Sequence, residues 1–520
     1  MIKHLLIAFV PLLLLLALPF ALKPEQPPKI AGAETEKLVV ISPNSESIRH
    51  EFEEAFKRHY REKFGRDIVL EWRNVGGTSD IIRYVNDRFE AVFREWWQSK
   101  PELGPWNPEI AQAYKSKDGG RAREIFLASD RGIGIDLMFG GGQYDHHKQA
   151  ELGVAVDAGL LQSHPEWFKS SVIPQQFGGE VMYDPQGRYY GTCLATFGIC
   201  YNEDRIRELG IEAPHKWEDL ANPALFQNIA LADPTKAGSI TKCFEMLIQE
   251  QMQKTGADRD AGWANAVNLI KRIAANARYF TDSASKVPKD VASANAAAGM
   301  CIDFYGRSEA EWSAEQNGGV ERIRFVPPER GTSLSADPIH LLRGAPNRKA
   351  AVEFIVFVLS EEGQKLWNYR LNTPGGPSKY VVRRLPIRRD MYTPEHRQYM
   401  ADAGTEPYED ASGFVYDPRL TGRYFNFIRL VVKCFALDPM PELQAAWKAI
   451  LDAGGPEKVP QAMAVFNRLP FSYSELGAIQ KELGQSRQDG VLALLRHQRQ
   501  WSESCRAQYR EAARLAKEGK

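Results

Sequence analysis

Charge of one sign, cysteine, and the usual catalytic signatures are all scarce in this chain, and each scarcity removes a class of function. Lys plus Arg equals Asp plus Glu at 66 each over 520 residues, so the chain as a whole offers no polycationic surface for nucleic acid. Only six cysteines occur (Cys193, Cys200, Cys243, Cys301, Cys434, Cys505), with no CxxC pair and no Cys/His spacing suited to zinc. GxSxG, HExxH and GxxxxGK[ST] are absent, and Gly140-Gly141-Gly142 lacks the GxGxxG spacing of a dinucleotide loop. Hydrophobic residues at 43% and charged residues at 25% are ordinary for a soluble globular body and exclude both wholesale disorder and a polytopic membrane protein.

One long apolar run is present, at the start. Lys3 and His4 precede eighteen apolar residues, Leu5 to Leu22, which end at Lys23, Glu25, Pro27 and Pro28. A basic head before an apolar stretch is an export signal, and this one is near the minimum length of a spanning helix. A cleaved signal peptide and a retained membrane anchor both fit residues 1–36; in either case the body is expected outside the cytoplasm. Export permits disulfides, so Cys193 and Cys200 either pair or remain small buried hydrophobes.

The rest alternates strand, polar turn and helix. KLVVIS (Lys37 to Ser42) reads as a buried strand, and the helix after it carries Ile48, Phe52, Ala55, Phe56 and Tyr60 on one face. Asp67 to Trp72, the turn Asn74 to Ser79, and a helix with Ile81, Ile82, Val85 and Phe89 repeat the pattern. It returns at Gly134 to Phe139, Ile229 to Ala232 and Met300 to Phe304. Such alternation predicts α/β architecture with parallel strands and crossover helices. Residues 90–131, rich in Trp and Pro, read as an insertion.

Four stretches in order then resemble the type 2 periplasmic binding-protein fold, in the group that holds ferric-iron, small-anion and polyamine receptors. They are Lys37 to Ser47; Gly191 to Asn202, ending Ile199-Cys200-Tyr201-Asn202; Trp217 to Leu220 with Ile229 to Pro234; and Leu341 to Asn347 followed by Ala350 to Gln364. The resemblance implies two α/β lobes joined by hinge crossover strands with ligand in the cleft. Lobe 1 is expected over 37–198 and 305–375, lobe 2 over 199–304, and a helical extension over 376–520.

Ligands of open α/β sheets sit where strands end and helices begin. The small polar turns Asn44-Ser45-Glu46, Gly77-Thr78-Ser79, Gly141-Gly142 and Thr235 to Ser239, with Gly238, offer backbone donors and hydroxyls suited to an oxyanion, or merely cap their helices. By resemblance, Thr196 and Phe197 in the crossover strand, Tyr305 after the buried strand, and Asp337 approach the cleft; the other readings are core packing for Phe197 and a turn residue for Asp337. Arg307 is either a bidentate oxyanion contact or a salt-bridged surface residue. Iron members of the group use adjacent tyrosines in the second lobe, whereas here Tyr189-Tyr190 lie upstream and only Tyr305 follows Met300; Asp145-His146-His147 reads as a solvated helix face. The chain is therefore expected to be an extracytoplasmic receptor that passes a small oxyanion, or a phosphorylated or carboxylated compound, to the permease of an ABC importer. No cofactor, metal or nucleic acid is expected. The alternatives are a ferric-iron receptor, an anchored sensory module, and an enzyme on the same lobes.

Overall fold

The computed structural model describes residues 36–411, 413–483 and 487–520. The apolar run Leu5 to Leu22 lies outside them. Among the described residues no helix is long and apolar enough to cross a membrane.

The first strand, β1 (Glu36–Ile41), is buried on both faces over Leu38 to Ile41, as its unbroken apolar sequence demands of a central strand. It pairs in parallel with β2 (Ile68–Arg73), Glu36 opposite Ile68, and with β3 (Leu137–Phe139). Short strands follow: β4 (Ala155–Val156), β5 (Gln176–Phe177) and β6 (Glu180–Val181). Then come β7 (Tyr190–Ala195), β8 (Phe197–Asn202), β9 (Ile229–Ala232), β10 (Ala277–Thr281), β11 (Ala298–Ile302), β12 (Ile323–Val326), β13 (Ser335–Leu342) and β14 (Leu385–Pro386). Twelve of them form two mixed sheets, β14-β7-β13-β3-β1-β2, with β4 beside β13, and β10-β9-β11-β8-β12, while β5 and β6 pair with each other as a separate antiparallel ribbon.

The chain crosses between sheets at Thr196, where β7 becomes β8, and between β12 and β13. Its return to the first sheet comes later than residue 305, because Asp303–Gln316 is a helix against β11 and β12, and Phe325 pairs with Cys200. The expected boundary at 376 also shifts. Leu385 pairs with Leu194, so the segment after 376 first completes the first sheet. Buried Glu51 holds that segment by accepting the backbone N–H groups of Ser378, Lys379 and Tyr380 at 2.7–2.8 Å.

The principal helices are α1 (Glu46–Phe64), α2 (Thr78–Gln98), α3 (Gln143–Leu152), α4 (Gly238–Thr255), α5 (Arg259–Asn276), α6 (Asp303–Gln316), α7 (Arg348–Leu359), α8 (Glu361–Asn368), α9 (Phe425–Val432), α10 (Met440–Asp452) and α11 (Arg487–Lys517). On α1 the stripe Ile48, Phe52, Ala55, Phe56 and Tyr60 is buried, at the spacing its sequence gives. The stretch 90–131 is not a separate piece: α2 runs on to Gln98, and Phe93, Trp97, Tyr114 and Phe126 pack with Phe89 in one aromatic cluster.

From Phe414 onward the carboxyl-terminal region shares a core with the second sheet, where Trp263, Phe427, Trp447 and Tyr509 belong to one buried cluster. Polar ties lock this seam. Trp447 donates to the Asn276 side chain at 2.9 Å, and the Lys271 ammonium donates to the Phe466 carbonyl at 2.6 Å. All six cysteines are buried and free, and Cys193 and Cys200 sit in different sheets.

Candidate functional site

Between the sheets lies a cavity of about 710 Å³, lined from both lobes. Four helices begin at its wall: α1 after Ser45, α2 after Gly77 and α3 after Gly142 on the first lobe, and α4 after Ala237 on the second. None of the four N-cap side chains accepts from the first-turn N–H groups, although Asp80 in the first turn of α2 accepts from the Gly77 N–H at 3.3 Å, and the positive helix ends face the cavity. The ends of α2 and α4 meet across it, since a methyl built on Gly77 would lie 3.8 Å from the Lys236 carbonyl oxygen.

Glycine at 140 is a geometric requirement. Its φ is +90°, and a Cβ there would fall 2.5 Å from the side-chain oxygen of Asn44, whose Nδ2 donates to the Phe139 carbonyl at 3.2 Å. The loops after β1 and β3 are thereby pressed together, which brings Asn44, Ser45, Gly141 and Gly142 to one wall.

Five acidic side chains line the cavity (Asp145, Glu180, Asp282, Glu245, Asp337) and five basic ones (Lys148, Lys236, Lys242, Arg384, Arg423). Most are neutralised in place. Lys242 sits between Glu180 at 2.9 Å and Glu245 at 3.0 Å with its ammonium 3.7 Å from the Tyr416 ring centre, and Arg384 is ion-paired with Asp337. Burial pushes the Asp145 carboxyl up to about 6 against the pull of nearby Arg429. With side-chain charges balanced, the four helix ends decide the sign. Each end carries roughly half a positive elementary charge, offset in part by the first-turn carboxylates Glu46, Asp80 and Asp145 of α1, α2 and α3.

Family comparison agrees with this two-lobed arrangement. The description "bacterial extracellular solute-binding protein" matches residues 133–395, just over half of the chain. The chain belongs to this family. Among relatives of this solute-binding protein, an uncharacterized protein of Haemophilus influenzae is 27% identical over 236 residues, 44% of this chain and 60% of the relative. The chain thus spans less than two thirds of that relative. The putrescine/agmatine-binding protein of Pseudomonas aeruginosa is 24% identical over 267 residues, 49% of this chain and 71% of the relative. Among solved structures, the periplasmic binding protein AfuA of Actinobacillus pleuropneumoniae, with fructose-6-phosphate bound, aligns with TM-score 0.46 and 18% identity. That alignment takes in 76% of this chain and all of AfuA.

Of the residues singled out from the sequence of this solute-binding protein, Asn44, Ser45, Gly77, Thr78, Gly141, Gly142, Phe197, Gly238, Ser239, Tyr305 and Asp337 line the cavity. Five others do not. Glu46 is exposed in the first turn of α1. Thr196 is buried at the crossing, where its carbonyl accepts from the Asp303 N–H at 2.9 Å. The Thr235 hydroxyl donates to Asp233 at 2.7 Å and closes its own turn. Ser79 accepts from Arg429 at 3.0 Å. Arg307 is held by Asp303 at 2.8 Å and by Asp402 at 3.5 Å, so its charge is spent behind the cleft in a salt bridge.

Asp145-His146-His147 is not a solvated face. Asp145 and His147 line the cavity, while His146 is fully buried beneath it. Tyr189 and Tyr190 are buried in the first lobe; the Tyr189 hydroxyl accepts from Gln143 and that of Tyr190 from the Leu160 N–H. Glu180, Lys242, Glu245, Arg384, Tyr416, Arg423 and Phe425 went unread in the sequence. For the charged ones the signal was a charge among apolar neighbours, as at Glu245 between Phe244 and Met246 of α4.

Proposed function

We propose that this protein is the extracytoplasmic receptor of an ABC importer and captures an organic anion, a phosphate ester or a carboxylate, between its lobes before passing it to a membrane permease. The observation that carries this reading is the convergence of four helix N-termini, three from one lobe and one from the other, on one cavity lined by equal numbers of acidic and basic side chains. Size refines the class. About 710 Å³ falls in the range of roughly 300–1,000 Å³ typical of small-molecule pockets, several times the volume of a bare oxyanion, so the guest carries an organic body beside its charge. Phe197, Phe304, Tyr305 and Phe425 line the cavity and give that body apolar surface.

A thermal-shift screen of the purified protein at pH 7 tests the class. Sugar phosphates and dicarboxylates are expected to raise the melting temperature, and a compound at a hundred times its dissociation constant should stabilise by about 2.7 kcal/mol. A shift produced only by putrescine or only by ferric citrate would replace the anion reading.

A further inference from the structure

The carboxyl-terminal extension travels with the second lobe, through the core around Trp263, Phe427 and Trp447, yet it touches the first lobe at three points. Arg429 on α9 donates through Nε to the Thr241 hydroxyl on α4 at 3.1 Å and through Nη1 to the Ser79 hydroxyl on α2 at 3.0 Å. One guanidinium therefore joins helix starts of opposite lobes. Beside it, the Phe425 ring packs against Tyr144 of α3 with centroids 5.3 Å apart. The backbone N–H of Tyr416 donates to the Gly178 carbonyl at 2.8 Å, at the turn between β5 and β6. Tyr416, Arg423 and Phe425 also line the cavity, so the extension forms a wall of it that neither sheet provides. Arg423 is exposed there, its guanidinium over the Tyr424 ring at 4.6 Å, and no carboxylate pairs with it among the described residues.

We propose that the extension is a working part of the solute site: Arg429 and Phe425 latch the two lobes at this mouth without any solute, and Arg423 is a cationic contact to the bound anion. The latch stands on geometry alone, whereas the Arg423 contact rests on the anion reading above. Arg429 suits the first role because a planar fork can serve two acceptors in different directions at once. Lobes of this fold move by hinge bending, so a bond from one lobe to the other biases the equilibrium toward the closed form.

The test uses the full-length protein with Arg94→Cys and Arg207→Cys, exposed positions on the first and second lobes, as spin-label sites; the six native cysteines are buried. Pulsed dipolar spectroscopy of the solute-free protein should give one narrow interlobe distance. Arg429→Met and Phe425→Ala should broaden it toward longer values, and so should Ser79→Ala, which leaves the extension untouched and guards against misfolding of the other two. Distributions that coincide with the parent's would overturn the latch. Calorimetric titration with fructose 6-phosphate reads the second role, where Arg423→Met should weaken affinity about tenfold. A change within twofold would overturn the contact. If the parent binds no anion, the anion reading and the Arg423 contact fall together, and the distance measurement still decides the latch.

Discussion

The Nδ1 atoms of His146 and His340 lie 2.8 Å apart beneath the cleft floor, with both side chains fully buried. Their tautomers follow from the partners. His146 Nε2 is 3.0 Å from the Gly140 carbonyl, which can only accept, so that nitrogen carries the proton and His146 Nδ1 accepts. His340 must then donate through Nδ1, leaving its unpartnered Nε2 as a bare lone pair. A second proton has nowhere favourable to go.

Burial holds the His146 ring down at about 4, against 6.5 for an ordinary histidine. Between those values the unfolded chain binds a proton that the folded one refuses, so stability is full above pH 6.5 and declines as pH falls toward 4. The loss expected from His146 is about 3 kcal/mol. Urea unfolding from pH 7.5 to 4 should show a shallower decline for His146→Gln, which keeps one donor and one acceptor without titrating, than for the parent. His340, which burial also holds well below an ordinary histidine, supplies a decline that remains.

Asp145 titrates in the opposite sense. Its folded value, about 6, is above the ordinary 3.8, so its contribution is full below pH 3.8 and is lost as pH rises through 6. Asp145→Asn should therefore be more stable than the parent at pH 8 and equal to it near pH 3.5. It should also bind a phosphate ester more tightly at pH 8, because a carboxylate leaves the anion's surroundings. Comparing variant with parent at each pH cancels the ester's own titration.

Lys242 is the single cation between two carboxylates whose side chains are 3% and 1% exposed. Removing one partner of a buried ion pair costs about 3–5 kcal/mol, because the remaining charge stays desolvated. Lys242→Met should lose stability in that range by urea unfolding. Lys242→Met combined with Glu180→Gln should recover part of it.

Gly179 fixes the approach of the extension to the turn between β5 and β6. Its φ is +83°, and a Cβ would fall 1.8 Å from the Tyr416 carbonyl oxygen, a backbone atom that cannot step aside. Gly179→Ala should cost about 1–3 kcal/mol of stability from backbone strain alone. The same variant should loosen the Tyr416 N–H, which hydrogen exchange reads directly.

The parts of this molecule visible in its sequence are those encoded by neighbours. Strand, turn and helix alternate with clear periods, and the turns at Gly77-Thr78, Gly141-Gly142 and Gly238-Ser239 do reach one cavity because each follows a strand of an open sheet. Contacts made across long separations left no local trace. Arg384 carries no local mark of a site, yet it is buried against Asp337 and the Phe304 ring. Arg429 and Phe425 read as members of an ordinary helix, and only folding back over α4 brings them to Ser79 and Tyr144. Of the two readings open for Arg307, the structure takes the salt bridge, because Asp303 one turn earlier and distant Asp402 claim its charge.

The most direct test of the central claim is a crystal structure with the best-stabilising anion from the screen. Its oxygens should lie within hydrogen-bond distance of backbone N–H groups at the start of α4 and at the start of at least one of α1, α2 and α3, so that both lobes hold one charge. An anion bound to a single lobe, or outside the cavity, would contradict the account.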